Sequence, residues 1–173
     1  MPNPPPPTDV DKPIVVFVSS RQKEFQQLRD YLKVIIEGDD FLRRVMMRVE
    51  LAERRGGERV RGDISQALKD TSIYVGIFGN IYSPKTIAEY YEARRRGLPV
   101  LIFNMIRTGT RDQRVKTFLE REVKEKDDYK ATEIPFQPSK SEAAAWTISQ
   151  RVANTVANLI HENVEIRRKV HPQ

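Results

Sequence analysis

The sequence predicts an α/β domain in which helices cover both faces of a five-stranded parallel sheet, the flavodoxin-like arrangement with strand order 2-1-3-4-5. Two observations support this fold class. Segments of strand and helix character alternate five times along the chain, which is typical of doubly wound folds. Three of the strand segments are uninterrupted apolar runs, as expected of central strands buried on both faces, whereas the other two carry polar residues suited to edges.

The elements follow from these patterns. The predicted strands are Ile14–Val18, Val45–Leu51, Ile73–Phe78, Pro99–Phe103 and a weak strand around Tyr129–Phe136. The predicted helices cover residues 20–37, 63–69 and 84–96, with two more that open near Thr110 and Ser139. The alternating polar residues of Val45–Leu51 predict an edge strand with one face in water. Pro135 also restricts the last strand to an edge, because proline cannot donate a ladder hydrogen bond.

Short polar patterns predict where the helices begin. Ser83 followed by Pro84 is an N-cap with proline at the first helical position. The spacing of a capping box occurs at Asp63 and Gln66, at Thr110 and Gln113, and at Ser139 and Glu142. In the last helix the predicted apolar side consists of Trp146, Ile148, Val152, Val156, Leu159 and Ile160.

Length and composition limit the class of protein. The 173 residues predict one domain over 13–165, between a disordered proline-rich tail over 1–12 and a basic C-terminal tail over 166–173. The chain has no cysteine, which excludes disulfides, thiolate metal sites and cysteine nucleophiles. His161 and His171 have no partners at ligand spacing, so we expect neither a metal site nor a serine–histidine–aspartate triad. No glycine-rich dinucleotide fingerprint or P-loop pattern occurs.

Charge and hydropathy indicate the partners. The longest apolar run, Ile14–Val18, is far shorter than a membrane span, and no signal pattern opens the chain, so we expect a soluble cytoplasmic protein without a membrane partner. The net charge of +6 favours anionic partners. Four arginines surround two glycines at Arg54, Arg55, Arg59 and Arg61. Because no aromatic residue is interleaved among them, we expect at most weak, sequence-independent nucleic-acid binding there.

The residues that follow the first strand are candidates for ligand binding. Ligands of doubly wound sheets bind outside the carboxyl ends of the strands, near the switch between the first and third strands. Ser19, Ser20 and Arg21 supply two hydroxyls, a cation and the N-terminus of a helix, which together can hold a phosphate or a ribose. A simpler interpretation is that Ser20 only caps the helix.

The loop after the third strand is the second candidate. Gly79, Asn80, Tyr82 and Ser83 form a short polar segment whose aromatic ring can stack on a base. A turn that needs glycine and asparagine explains part of this pattern equally well.

Glu89 is the candidate catalytic residue. It lies one and a half turns into the helix after Ser83, so its carboxylate can face the same strand ends. On spacing alone, a glutamate in this arginine-rich helix is expected at the surface. Glu92 and Arg96 in the same helix have the spacing of an i,i+4 ion pair.

Three segments resemble a known family: VFVSSRQKEF (16–25), DTSIYVGIFGNIYS (70–83) and TIAEYYEARRRGLPVLIF (86–103). They are similar to the domain of unknown function often found ahead of NACHT-type NTPase and TPR modules, a relative of TIR domains and nucleoside deoxyribosyltransferases. The resemblance covers nearly the whole body of the chain. It departs from the family pattern at Arg21, where threonine is usual, and at Leu28, where glutamate is usual.

The resemblance implies a site and a chemistry. The Ser19–Ser20 loop and the Gly79–Ser83 loop would line a nucleotide or nucleoside pocket. The deoxyribosyltransferase relatives carry a nucleophilic helix glutamate eight residues before the glycine of a Gly-Lys-Pro-Val-like strand entry, and Glu89 precedes Gly97 by eight. A carboxylate beneath the anomeric carbon can trap an oxocarbenium-like centre. No metal or cofactor is needed, because nicotinamide leaves NAD as a neutral base.

Three functions remain open at this point. The leading interpretation is a TIR-like, deoxyribosyltransferase-like domain that binds a nucleotide or nucleoside and cleaves its N-glycosidic bond through Glu89, with NAD or a nucleotide as substrate, in signalling or defence. The alternative is a non-catalytic interaction module that assembles with copies of itself or with a partner NTPase. The third is a weak nucleic-acid binder that uses the arginine cluster.

Overall fold

The computed structural model describes residues 14–39, 48–51, 60–124, 131–135 and 142–162. Several sequence-based predictions lie outside the described residues: the tails over 1–12 and 166–173, His171, Arg54, Arg55, Arg59 and the cap at Ser139.

Strands and helices alternate along the described chain. The elements are β1 Val15–Ser20, α1 Gln22–Gly38, β2 Arg48–Leu51, α2 Val60–Ala67, β3 Ile73–Phe78, α3 Pro84–Arg95, β4 Val100–Ile106, α4 Gln113–Phe118, β5 Ala131–Pro135 and α5 Glu142–Glu162. A π-helical segment, Leu119–Lys124, follows α4 directly. The described strands form one parallel sheet in the order β2-β1-β3-β4-β5. The predicted α/β class with a parallel sheet is confirmed.

The continuous apolar runs explain why β1, β3 and β4 occupy the centre. Both faces of these strands are buried, and each face belongs to its own hydrophobic cluster. Val16 and Val18 face one cluster, which α1 and α5 cover. Phe17 and Tyr74 face the other, which α2, α3 and α4 cover. Buried apolar area of this kind stabilises a fold by roughly 25 cal/mol per Å².

The N-cap predicted for α3 is confirmed. The hydroxyl oxygen of Ser83 accepts a hydrogen bond from the backbone N–H of Thr86 at 3.4 Å, and Pro84 is the first helical residue. The capping pair sets where the helix starts, and therefore which of its side chains face the sheet.

Two of the predicted capping boxes are wrong. Asp63 lies inside α2, whose described residues already begin at Val60. The N-cap of α4 is Asp112, whose carboxylate accepts from the backbone N–H of Arg114 at 2.9 Å. An aspartate directly before the first turn is a strong cap, so the helix starts two residues after Thr110.

Most of the apolar side predicted for α5 is confirmed, because Val152, Val156 and Ile160 lie in the core and Ile148 and Leu159 pack against it. The buried residues of α5 are Ala145, Ser149, Val152, Ala153, Val156 and Ile160. Trp146 was predicted on this side, but it is 39% exposed and meets the ring of Tyr31 edge-on at a centroid distance of 5.5 Å. The hydroxyl of Ser149 donates to the carbonyl of Leu28 at 3.1 Å, which brings the small side of α5 against α1. None of the helices described here has the length and apolar character needed to cross a membrane.

Candidate functional site

Glu89 and Ser19 form a buried pair at the carboxyl edge of the sheet, meaning the ends of β1, β3 and β4 and the residues that follow them. Ser19 is the fifth residue of β1 and lies opposite Gly76 of β3 in the ladder. Its hydroxyl donates to Oε2 of Glu89 at 2.5 Å. Ser19 is 0% exposed and Glu89 is 1% exposed.

The register of α3 explains why Glu89 faces inward. The buried residues of this helix are Thr86, Glu89, Tyr90 and Ala93, which recur at intervals of three and four. Glu89 therefore lies on the face of α3 that packs against the sheet. The expectation from spacing alone, that Glu89 is a surface residue, is therefore wrong. The i,i+4 pair is confirmed, since Nε of Arg96 donates to Oε1 of Glu92 at 2.8 Å.

The surroundings of Glu89 act on its charge in opposite directions. Burial raises the pKa of Glu89, because the protein interior solvates the anion less well than water does. The Ser19 hydrogen bond, the ammonium of Lys85 at 3.9 Å and the guanidinium of Arg29 lower the pKa and partly offset burial. Burial therefore disfavours the ionised carboxylate, whereas its polar and charged neighbours stabilise it. This combination is common at functional sites.

Tyr74 is a second buried polar group near this carboxylate. Burial raises its pKa well above the ordinary value, and the negative charge of Glu89 adds to the rise. Its hydroxyl donates to the carbonyl of Thr86 at 3.1 Å. Tyr74 therefore remains a neutral hydrogen-bond donor, and it ties the sheet to the first turn of α3.

Sequence reasoning missed Glu24. This residue of the first turn of α1 has a side chain that is 2% exposed and forms an ion pair with Arg107, which follows β4. Its Oε1 also accepts a hydrogen bond from the backbone N–H of Asn80 at 3.0 Å. One carboxylate thus joins the segments that follow β1, β3 and β4.

Gly79 makes the approach of Glu24 possible. A Cβ at this position would lie 2.6 Å from Cζ of Phe25 and 2.7 Å from Cδ of Glu24, closer than real Cβ contacts. Gly79 was predicted as a ligand-binding residue, with a turn as the alternative, and the structure adds another reason for glycine, the close approach of Glu24 and Phe25. A glycine directly after a buried strand was the one available signal that another group approaches the backbone there.

Asn80 joins the loop after β3 to the loop after β4. Its side-chain N–H donates to the carbonyl of Thr108 at 3.1 Å, and its backbone carbonyl accepts from the N–H of Asp112 at 2.8 Å. Its Oδ1 also lies 3.5 Å from Nε of Arg111, which donates through Nη2 to the carbonyl of Met105 at 2.8 Å. Asn80 is therefore a structural junction of the carboxyl edge, and its role in ligand binding stays a prediction.

The other predicted residues have different surroundings. Arg21 is the N-cap residue of α1, and no side chain caps this helix, so the interpretation of Ser20 as the cap is wrong. The Ser20 hydroxyl is buried and hydrogen-bonds to no residue that the structure describes. The ring of Tyr82 is covered on one face by the guanidinium of Arg114, 4.0 Å from the ring centroid. The described residues contain no group of three His, Asp or Glu side chains that could hold a metal ion.

The family of the chain follows from its sequence. The family model of a domain of unknown function, DUF4062, matches residues 15–157. The chain belongs to this family. No curated protein matches the chain. Among solved structures, the chain is similar to the sugar isomerase domain of an RpiR transcription factor from Sphaerobacter thermophilus, at 15% identity and a TM-score of 0.44, over 94% of this chain and 80% of that one.

Proposed function

We propose that this DUF4062 domain is TIR-like and deoxyribosyltransferase-like, binds a nucleotide or nucleoside at the carboxyl edge of its flavodoxin-like sheet, and cleaves the N-glycosidic bond through Glu89, in a signalling or defence role. One observation carries the proposal: the Glu89 carboxylate, 1% exposed, accepts a 2.5 Å hydrogen bond from Ser19 at the end of β1. A buried carboxylate is costly, and it lies where doubly wound folds bind their ligands.

The chemistry needs one carboxylate. An oxygen of Glu89 attacks the anomeric carbon while the C–N bond breaks, and the electron pair of that bond leaves with the base. Nicotinamide departs from NAD as a neutral molecule, so no acid is required for that substrate. Water then attacks the same carbon, breaks the sugar–Glu89 ester and loses a proton, which regenerates the carboxylate.

The neighbours of Glu89 support this role. The Ser19 hydroxyl fixes the orientation of the carboxylate, and Lys85 and Arg29 favour its ionised form. Since Glu89 is buried, a substrate reaches it only when side chains beside it move. Lys85 is 48% exposed and one turn before Glu89, so it is a neighbour that can move without disturbing the core.

An assembly module, pairing with copies of itself or with a partner NTPase, is the second candidate. The outer side of α1 and α5 favours it, because Val34 is 60% exposed and Trp146 is 39% exposed. Tyr31, which contacts Trp146, lies one turn before Val34 on α1, so the three side chains form one apolar strip. Binding of nucleic acid by the arginine cluster stays a prediction.

The test is release of nicotinamide from NAD, or of nucleobases from nucleosides, measured by chromatography over a wide range of protein concentration. Wild type should release base, and Glu89→Gln should abolish release, because the amide keeps the side-chain volume and removes the anionic nucleophile. Glu92→Gln is the matched control on the same helix and should remain active.

Two results would contradict the proposal. Equal activity of wild type and Glu89→Gln would show that another group performs the chemistry. If wild type releases nothing at any concentration and no nucleotide shifts its melting temperature, the assembly module takes the place of the enzyme.

A further inference from the structure

Three arginines lie at the carboxyl edge, outside the Ser19–Glu89 pair. Arg21 directly follows β1, whereas Arg107 and Arg111 follow β4. The carboxyl ends of parallel strands meet at one edge of a sheet, so these cations share a side of the molecule with Glu89.

Arg107 is held by a buried acid. Its partner Glu24 has a side chain 2% exposed, while the Arg107 side chain is 20% exposed and so reaches the surface. An arginine fixed by a buried carboxylate is preorganised, so it loses less side-chain entropy when it binds an anion.

Arg111 is fixed close to the same place. It donates to the carbonyl of Met105 at 2.8 Å and lies 3.5 Å from Oδ1 of Asn80. The backbone N–H of Asn80 in turn binds the Glu24 carboxylate that holds Arg107. Asn80 therefore contacts Arg111 through its side chain and, through Glu24, is connected to Arg107.

The start of α1 adds an independent observation. The N-cap residue of α1 is Arg21, no side chain caps the helix, and the helix is kinked at Phe25 after its first turn. The preceding residue, Ser20, alternates with Ser19 and so faces the side of the sheet that α1 covers. Its hydroxyl is buried, with 7% of the residue exposed, and has no hydrogen-bond partner among the described residues. Such a group is rare unless water or a ligand satisfies it.

The spacing along the sheet relates this cluster to Glu89. Ser19, which binds Glu89, lies opposite Gly76, and Asn80 comes four residues later. Four residues of extended chain span at most about 13 Å. A nucleotide whose sugar lies at Glu89 and whose phosphates extend outward from it covers a separation of this order.

We propose that Ser20, Arg21, Arg107 and Arg111 form a phosphate subsite, so that the ligand is a nucleotide carrying phosphate groups in preference to a free nucleoside. The inference rests on the proposed function, because it places the sugar at Glu89. The phosphate oxygens accept charge-assisted hydrogen bonds from the arginines, and the Ser20 hydroxyl completes the subsite.

The experiment is isothermal titration calorimetry with the four common ribonucleosides and their 5′-diphosphates, on wild type, Arg21→Gln and Arg111→Gln. Arg107 is left intact, because its loss would leave Glu24 buried without its cation. Arg95→Gln is the matched control, since Arg95 is an exposed arginine at the other end of α3. Wild type should bind at least one diphosphate about tenfold or more tightly than its nucleoside, and each of the two variants should weaken diphosphate binding about tenfold or more without changing nucleoside binding. Arg95→Gln should match wild type.

The outcomes separate this inference from the proposed function. If nucleosides bind but their diphosphates bind no more tightly, the phosphate subsite is wrong and the proposed function stands. If diphosphates bind to Arg21→Gln and Arg111→Gln as they do to wild type, the phosphates lie elsewhere and the subsite is again wrong. If neither nucleosides nor diphosphates bind to wild type, this inference fails, and the release of nicotinamide from NAD decides whether the proposed function stands.

Discussion

Substitution of Gly79 by alanine should destabilise the protein strongly, although it adds a single methyl group. The added Cβ would lie 2.6 Å from Cζ of Phe25 and 2.7 Å from Cδ of Glu24. Phe25 is 1% exposed, and Glu24 is held by Asn80 and Arg107, so neither can yield freely. Overpacking costs about 1–3 kcal/mol, and breaking a buried hydrogen bond costs about 1–3 kcal/mol more. We expect the free energy of unfolding to fall by about 2–6 kcal/mol.

Urea denaturation of four variants tests this reasoning: Gly79→Ala, Gly38→Ala, Glu24→Ala and the double variant of Glu24 and Gly79. Gly38→Ala is the control, because Gly38 has no atom within 4 Å of its would-be Cβ, and the variant should be as stable as wild type or more so. In a Glu24→Ala background, Gly79→Ala should cost less, because the clash with the carboxylate is gone and only Phe25 remains. If Gly79→Ala is as stable as Gly38→Ala, the close approach of Glu24 to the backbone is not what requires glycine.

Two further predictions concern α3. Glu89→Gln should have a higher melting temperature than wild type at pH 7. Burial raises the folded-state pKa of Glu89 above its ordinary value of 4.5, so wild type loses stability as the pH rises from 4.5. In a series of thermal melts, the difference in melting temperature between the two proteins should disappear below pH 4.5. Arg96→Ala should lower the free energy of unfolding by about 1–3 kcal/mol in urea, because Arg96 donates to the carbonyls of Leu68 and Ser65 at 2.7 and 2.6 Å. Arg95→Ala, at a 69% exposed side chain, should leave the stability close to that of wild type, and similar losses for both variants would contradict this account of Arg96.

The parts of the fold that sequence could predict are those set by local patterns. Continuous apolar runs predicted the buried strands, because only strands covered on both faces tolerate them. Ser83 and Pro84 predicted the start of α3, because both residues act on their own helix turn. The spacing that suggested a cap at Thr110 was equally local, but Asp112 lay closer to the helix and competed for the same N–H groups.

The sequence-based predictions failed where contacts with residues distant in the sequence determine whether a side chain is buried. Trp146 was predicted on the buried side of α5, but it is 39% exposed and meets the ring of Tyr31 of α1, a contact between helices that the pattern within α5 does not show. Glu24 looked like one charge among many, and its partners Asn80 and Arg107 lie 56 and 83 positions away. Glu89 was found through resemblance, while its burial against Ser19, 70 positions away, was not predictable from its own helix.

The most direct test of the proposed site is a crystal structure of Glu89→Gln soaked with NAD and with nucleosides, since a variant that cannot react keeps its substrate intact. The account predicts a bound ligand whose anomeric carbon lies against the side chain at position 89, with the sugar beside Ser19. A ligand bound elsewhere on the chain, with the pocket around position 89 closed as it is here, would contradict it.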